Sequence, residues 1–439
     1  MKICLFAFAA AIALALTACA AKPAQDGALP EISPSAALTA APEITPRETP
    51  PAVPAQPETL PLDTEVSAPP AVEEIREEEP ITAVPGEVAE KTQAAIDAAA
   101  RKYGAVGVQV AMIRDGKLAD TFVYGDATKG KQPMDDSVKI RVASISKVIL
   151  AMEAMCLRER GEIDIDADIG DYWGFPIRNP SHDGVPITIR QILSHTSSIM
   201  VYDYGFAADG ELIRNRFRDG SCFGRSTPGE IGYWNYNNYA FSALGVMMEV
   251  AADETVNDLA ARDLFTPLGI DAAFGSGSIS ATDNLATLYQ PGGSVGRSVD
   301  TQKKTLGSTY PGERGEEFPG GLTISAYDLA KLIAVLVNDG EYNGARILPA
   351  ELVAEMESPQ GKVGGFEQCL PLRHRAGLYG EDELYYHTGS NYGVFNLISY
   401  NPNSKNGIVI LTSGASGEKD AYDIYAICGE ISEYLYNRM

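Results

Sequence analysis

The sequence predicts an α/β (α+β) fold: an antiparallel sheet flanked by N- and C-terminal helices, with a helical subdomain inserted between its strands. Three observations carry this expectation. β-rich runs separated by Gly and Asn turns stand towards both ends of the folded part, and helical runs precede, separate and follow them. No internal repeat is visible, and 439 residues suffice for one large or two ordinary domains.

The first element is a leader. "MKICLFAFAAAIALALTACAAKP" sets Lys2 before an apolar run from Ile3 to Ala18, shorter than the roughly 20 residues a membrane-spanning helix needs. It reads as a signal peptide over residues 1–18. The ending "LTAC" is similar to a bacterial lipoprotein signal, in which Cys19 becomes the lipidated first residue. The expectation is an exported chain, lipid-anchored to the bacterial cell envelope with its folded domain extracytoplasmic.

Residues 19–86 read as a tether. From Ala20 to Gly86 the chain holds fourteen of its 27 prolines, twelve acidic and three basic residues, and no aromatic residue. Such a segment buries too little apolar surface to offset its ordering entropy, so disorder is expected. Its semi-extended reach is on the order of 100–200 Å. The formal charge is −24 overall and −16 from Glu87 onward, which argues against nucleic acid or an anionic membrane surface as a partner.

The folded domain is expected over residues 87–439. "EVAEKTQAAIDAAARKYG" has helical spacing and stops at Gly104. "AVGVQVAMI" and "LADTFVYG" read as strands around a turn at Asp115-Gly116. "SAYDLAKLIAVLVNDG" is an amphipathic helix. "LYYHTGS", "YGVFNLISYN" and "GIVILTSG" are strand-like, and "DAYDIYAICGEISEYLYNRM" closes the chain as a helix. Cys156, Cys222, Cys369 and Cys428 remain after the leader, without a C-x-x-C pair, so three pairings stay open. The four histidines lack metal-ligand spacing, and neither metal nor organic cofactor is expected.

Within "RVASISKVIL" (residues 141–150) a serine and a lysine stand three residues apart, at the start of a helical run. That spacing puts Ser144 and Lys147 on one face of a helix. A serine hydroxyl becomes a nucleophile when an adjacent base takes its proton, and a lysine serves if burial lowers its pKa. A second S-x-x-K, Ser416 to Lys419, falls among glycines in a loop. "GGSVG" (292–296) matches the G-x-S-x-G pattern but lacks the strand before and helix after that a nucleophile elbow requires.

Here the chain resembles the serine β-lactamases of the class C type and their relatives among penicillin-binding D,D-peptidases and esterases (peptidase S12-like). "RVASISK" is similar to their S-x-x-K element, and "ITIRQILSHTSS" to a segment ending in H-T-S-G, with Ser198 where Gly is usual. "TPGEIGYWNYNNYAFSALGVMMEV" resembles P-G-x followed by Y-x-N and an L-G helix, and "HTGSNYGVF" the third element, K-T-G or H-T-G. The likeness spans about residues 95–415. It implies a β-lactamase/transpeptidase-like fold, with Ser144 as acylated nucleophile and Lys147 as proton acceptor. Tyr236 is then the proton-shuttling phenol and Asn238 a substrate or lysine partner, although Tyr233 and Asn235 also fit the Y-x-N pattern. His387, Thr388 and Gly389 would edge the cleft, and the amides of Ser390 and Ser144 would form an oxyanion hole.

A histidine at 387 is mostly neutral at pH 7, unlike lysine. The expected site is therefore less committed to substrate carboxylates and more tolerant of neutral esters or amides. His195 is expected to be structural. The function that follows is an exported serine hydrolase acting on peptide-like amides or esters, with D-amino-acid-containing wall peptides or peptidoglycan as one substrate class. A β-lactamase or D-alanyl-D-alanine carboxypeptidase is the alternative within that class. A non-catalytic wall-peptide-binding lipoprotein is the alternative outside it.

Overall fold

The computed structural model describes residues 86–201, 207 and 209–439. The leader 1–18, Cys19 and the tether up to residue 85 lie outside the described residues. The helix predicted from Glu87 begins one residue earlier, as α1 (Gly86–Lys102). No helix among the described residues is long and apolar enough to cross a membrane.

Strands β1 (Gly107–Arg114) and β2 (Lys117–Thr128) are joined at Asp115 and Gly116. Both have positive φ (50° and 76°), the two-residue turn whose twist matches antiparallel strands. Short β3 (Gln132–Pro133) follows, and much later β4 (Gly361–Val363), β5 (Phe366–Gln368) and β6 (Arg373–His374). The long strands β7 (Tyr385–Asn391), β8 (Val394–Asn401) and β9 (Asn406–Ser413) complete the set. They form one nine-stranded sheet in the order β4-β5-β6-β7-β8-β9-β1-β2-β3, antiparallel at each pairing. The C-terminal strands close the sheet by pairing β9 with β1, Val110 opposite Ile410.

Alternation along β1 decides what covers each face. Val108, Val110 and Met112 pack with Ile96 and Ala100 of α1 and with Ile427, Ile431 and Leu435 of the C-terminal helix (Ala426–Tyr436). Ala111 and Ile113 point the other way, into a core shared with Leu329, Ile333 and Val337 of the helix Ala326–Val337 and with α2 (Ser146–Glu159). That larger core runs on into the inserted helical region, where α3 (Asn238–Ala252) is its most buried element. Both faces of the sheet are thus covered, which accounts for the near-continuous apolar character of β1, β8 and β9. Cys156, Cys222, Cys369 and Cys428 are all buried free thiols, so none of the three possible pairings forms.

Candidate active site

Ser144 stands in a 3-10 turn (Ala143–Ile145) just ahead of α2, rather than inside an α-helix. Ala143 before it has φ +52°, a left-handed conformation that a side-chain-bearing residue adopts only under constraint. The constraints are visible. Val142 N donates to Leu322 O at 2.9 Å, Leu322 N to Ser146 Oγ at 3.0 Å, and Asn396 Nδ2 to Arg141 O at 3.2 Å. The segment bearing Ser144 is therefore tied to a neighbouring strand and to β8.

Lys147 is fully buried. Its Nζ lies 3.2 Å from Ser144 Oγ and donates to Pro319 O at 2.7 Å. The rings of Tyr236 and Phe241 flank it, with centroids at 4.9 and 5.5 Å. Among the described residues no carboxylate pairs with it. Burial, reinforced by the positive charge of Arg373, holds its pKa well below the usual lysine value. An uncharged amine in this position can take the Ser144 proton.

Tyr236 and Asn238 both line the cleft in front of Ser144, where the chain enters α3; Tyr233 is 53% exposed and Asn235 does not line it. Asn237 caps α3 by accepting from Ala240 N at 3.0 Å, which fixes the turn of chain that points Tyr236 and Asn238 the same way. Trp234 instead donates to Gln368 Oε1 at 2.9 Å and packs on Phe366. His195 accepts from Asn237 N at 3.3 Å through Nδ1, and its ring lies 4.5 Å from that of Tyr236. It braces this segment and does not line the cleft.

His387 is 2% exposed on β7, and its ring centroid is 6.5 Å from that of Tyr236. Its Nδ1 lies 2.8 Å from Thr388 O, so Nδ1 carries the proton and Nε2 is left as an acceptor. Burial, then the charges of Arg373 and Lys147, lower its pKa well below the usual histidine value. Thr388 and Ser390 also line the cleft. Gly389 between them lies flush against the Ser144 segment: a Cβ there would stand 2.1 Å from Val142 O.

The cleft encloses about 820 Å³. It contains a residue that no motif announced. Arg373, on β6 opposite Tyr386, lines the end of the cleft beside His387. Its guanidinium rests on Phe366, 4.6 Å from the ring centroid. The expectation of a site less committed to carboxylates rested on losing the cation at 387; the fold supplies a cation from the adjacent strand. Of the other serines considered, Ser294 is exposed in a turn between the short strands Leu288–Tyr289 and Val295–Arg297, without an elbow's geometry. Ser416 lies in a loop, and its Lys419 lines the cleft while paired with Asp423 at 2.7 Å.

A buried lysine poised on a helix-leading serine, in a cleft edged by a strand of a large antiparallel sheet, defines a serine hydrolase. The chain belongs to the beta-lactamase family, whose sequence pattern it matches over residues 92–428. It is 26% identical to Penicillin-binding protein 4 of Amycolatopsis lactamdurans over 359 residues, 77% of this chain and 89% of that one. It is 28% identical to Esterase EstB of Burkholderia gladioli over 224 residues, 47% of this chain and 55% of the esterase. In fold it is similar to the octameric penicillin-binding protein homologue from Pyrococcus abyssi, with a TM-score of 0.63 at 22% identity, covering 79% of this chain and 76% of the other.

Proposed function

We propose that this protein is an exported, lipid-anchored serine hydrolase that cleaves peptide-like amides or esters through an acyl-enzyme on Ser144. The observation that carries the reading is the 3.2 Å approach of the buried Lys147 amine, its pKa lowered by burial, to Ser144 Oγ. Binding alone gives no reason to bury an amine without a carboxylate, since that costs stability.

In the forward step Lys147 takes the Ser144 proton as Oγ bonds to the substrate carbonyl carbon. The oxyanion is held by the amides of Ser144 and Ser390. Collapse breaks the bond to the leaving nitrogen or oxygen, which receives the proton from Lys147 by way of the Tyr236 hydroxyl. Water then attacks the Ser144 ester, releasing the acid and restoring the hydroxyl. Asn238, His387 and Thr388 position the substrate, and Gly389 lets the strand close on the nucleophile. His387, neutral, offers Nε2 as a hydrogen-bond acceptor, while Arg373 supplies the charge for a substrate carboxylate. That favours carboxylate-bearing donors, among which wall peptides ending in a D-amino acid are the leading class. Acylation of Cys19 and the acidic, Pro-rich residues that follow would hold the domain outside the cell at a distance from its membrane.

The test is labelling of the full chain by a fluorophosphonate and by a fluorescent penicillin, read by intact mass beside Ser144→Ala. A single adduct on the Ser144 peptide, absent in the variant, is expected. Penicillin labelling assigns the chemistry to β-lactam and D,D-peptide substrates. If the folded wild type takes neither probe, the catalytic reading fails and the non-catalytic binding protein replaces it. The anchor is tested by Cys19→Ser, which should move the protein from the detergent-extracted membrane fraction to the soluble one.

A further inference from the structure

The cleft is basic in an acidic protein. Arg141, Arg297, Lys304, Arg314, Arg373 and Lys419 line it against Glu316, Glu317 and Asp423, while the chain as a whole carries −24. Three of those cations are already neutralised. Arg141 pairs with Glu317 at 2.7 Å, Arg314 with Glu313, and Lys419 with Asp423 at 2.7 Å. Among the described residues Arg297, Lys304 and Arg373 have no carboxylate within ion-pairing distance. Among the described residues of this acidic chain, these three charges stand open in the cleft around Ser144.

Arg297 is a held group rather than a loose one. Its Nη2 donates to Thr305 Oγ1 at 2.6 Å, and its guanidinium lies over the ring of Tyr392, 4.8 Å from the centroid. Its Nε is buried without an acceptor. Tyr392 opens the two-residue turn between β7 and β8 with φ +52°, followed by Gly393 at +84°. An aromatic residue pays for that conformation, and here its ring also has the Arg141 guanidinium 5.6 Å from its centroid. The strained turn thus presents a stacked guanidinium to the cleft.

The placement along β7 gives the meaning. Gly389 abuts the Ser144 segment. Arg373 pairs with Tyr386, three residues before it, and Tyr392 lies three residues after it. At about 3.3 Å per residue each cation is anchored roughly 10 Å along the strand from Gly389, in opposite directions.

We infer that Arg297, with Lys304 just beyond the short helix Val299–Gln302, forms an anion subsite at the turn end of the cleft, so that the enzyme selects acyl donors bearing a negative group on each side of the scissile carbonyl. The substrate class is doubly acidic peptide-like amides or esters, one carboxylate answered by Arg373 and the other by Arg297. Guanidinium suits this because it binds a carboxylate through two parallel hydrogen bonds, and a cleft with an excess of positive groups attracts anionic substrates. The inference rests on Ser144 being the nucleophile.

The test compares aryl esters on the full chain. Butyryl, glutaryl and suberyl esters are each made with phenol and with 3-hydroxybenzoate, and kcat/KM is measured for all six. At least one diacid ester should exceed both corresponding monoacid esters tenfold or more. Arg297→Gln should cut kcat/KM for that diacid at least tenfold further than for the neutral butyryl phenol ester, and Arg297→Lys should recover part of the difference. If Ser144 is labelled by fluorophosphonate but the diacids hold no advantage in the wild type, or Arg297→Gln lowers every ester equally, this inference is wrong while the hydrolase reading stands. If Ser144 takes no label, the failure lies with the hydrolase reading itself.

Discussion

The carbonyl oxygen of Val142 occupies the space that a β-carbon at residue 389 would need, 2.1 Å away. Backbone meets backbone here, so neither side can yield by a rotamer change. Gly389→Ala should therefore push β7 from the Ser144 segment. The expected result is a fall of at least a hundredfold in the fluorophosphonate labelling rate, with a loss of stability of about 1–3 kcal/mol. Labelling rate and thermal midpoint, measured together, check it. An unchanged rate would mean that the two segments are not held at this spacing in solution.

Lys147 makes a prediction in two directions. Its native pKa is held well below the unfolded value, so between the two the native state binds fewer protons. Its contribution to stability therefore rises with pH, from its lowered native pKa up to the ordinary lysine value. Lys147→Met should abolish labelling of Ser144 while raising stability at pH 7 by about 1 kcal/mol or more, as removal of a strained functional group does. Lys147→Arg should be inactive too, because guanidinium does not give up its proton. A Met variant less stable than wild type at neutral pH would argue that the amine is charged and satisfied where it stands.

Acylation should also depend on pH with a definite sign. Lys147 accepts a proton only when uncharged, so the labelling rate should climb through its native pKa and level off well below the ordinary lysine range. His387 should add no further rise, since burial and the nearby cations keep it neutral. A rate still climbing steeply near pH 10 would contradict the lowered lysine.

The tyrosines separate two readings of one motif. Tyr236→Phe should slow labelling of Ser144 by about a hundredfold, the scale of a lost proton-transfer group. Tyr233→Phe, at a side chain 53% exposed, should leave both rate and stability close to wild type. The reverse pattern would exchange their roles.

Away from the site, Glu357 links stability to pH. Burial pushes its carboxyl up to about 7, although Tyr400 Oη donates to it at 2.8 Å. The native state holds a proton that the unfolded chain has lost, so this contribution is complete below about pH 4.5 and fades as pH rises to about 7. Glu357→Gln should flatten that interval, the gain over wild type being largest near and above pH 7 and at most ~3 kcal/mol. Denaturant midpoints at pH 5 and pH 8 check the sign.

The sequence by itself determined what depends on neighbours along the chain. Short β-rich runs bounded by Gly and Asn set the strands β1, β7, β8 and β9, and Asp115-Gly116 set their first turn, because these are properties of a few consecutive residues. The i to i+3 spacing put a lysine beside Ser144 before any packing was known. Only tertiary structure decided the rest. Whether Tyr233 or Tyr236 faces the cleft turned on how Asn237 caps α3 and where His195 packs. The Lys147 pKa is lowered because Pro319, Phe241 and Tyr236, remote in sequence, help to bury the amine away from water. Arg373 stands fourteen residues from His387 in an unremarkable stretch, and the pairing of β6 with β7 alone brings its charge to the cleft. Charge and burial act through space, and a pattern of residue types carries no distances until the chain has closed its sheet.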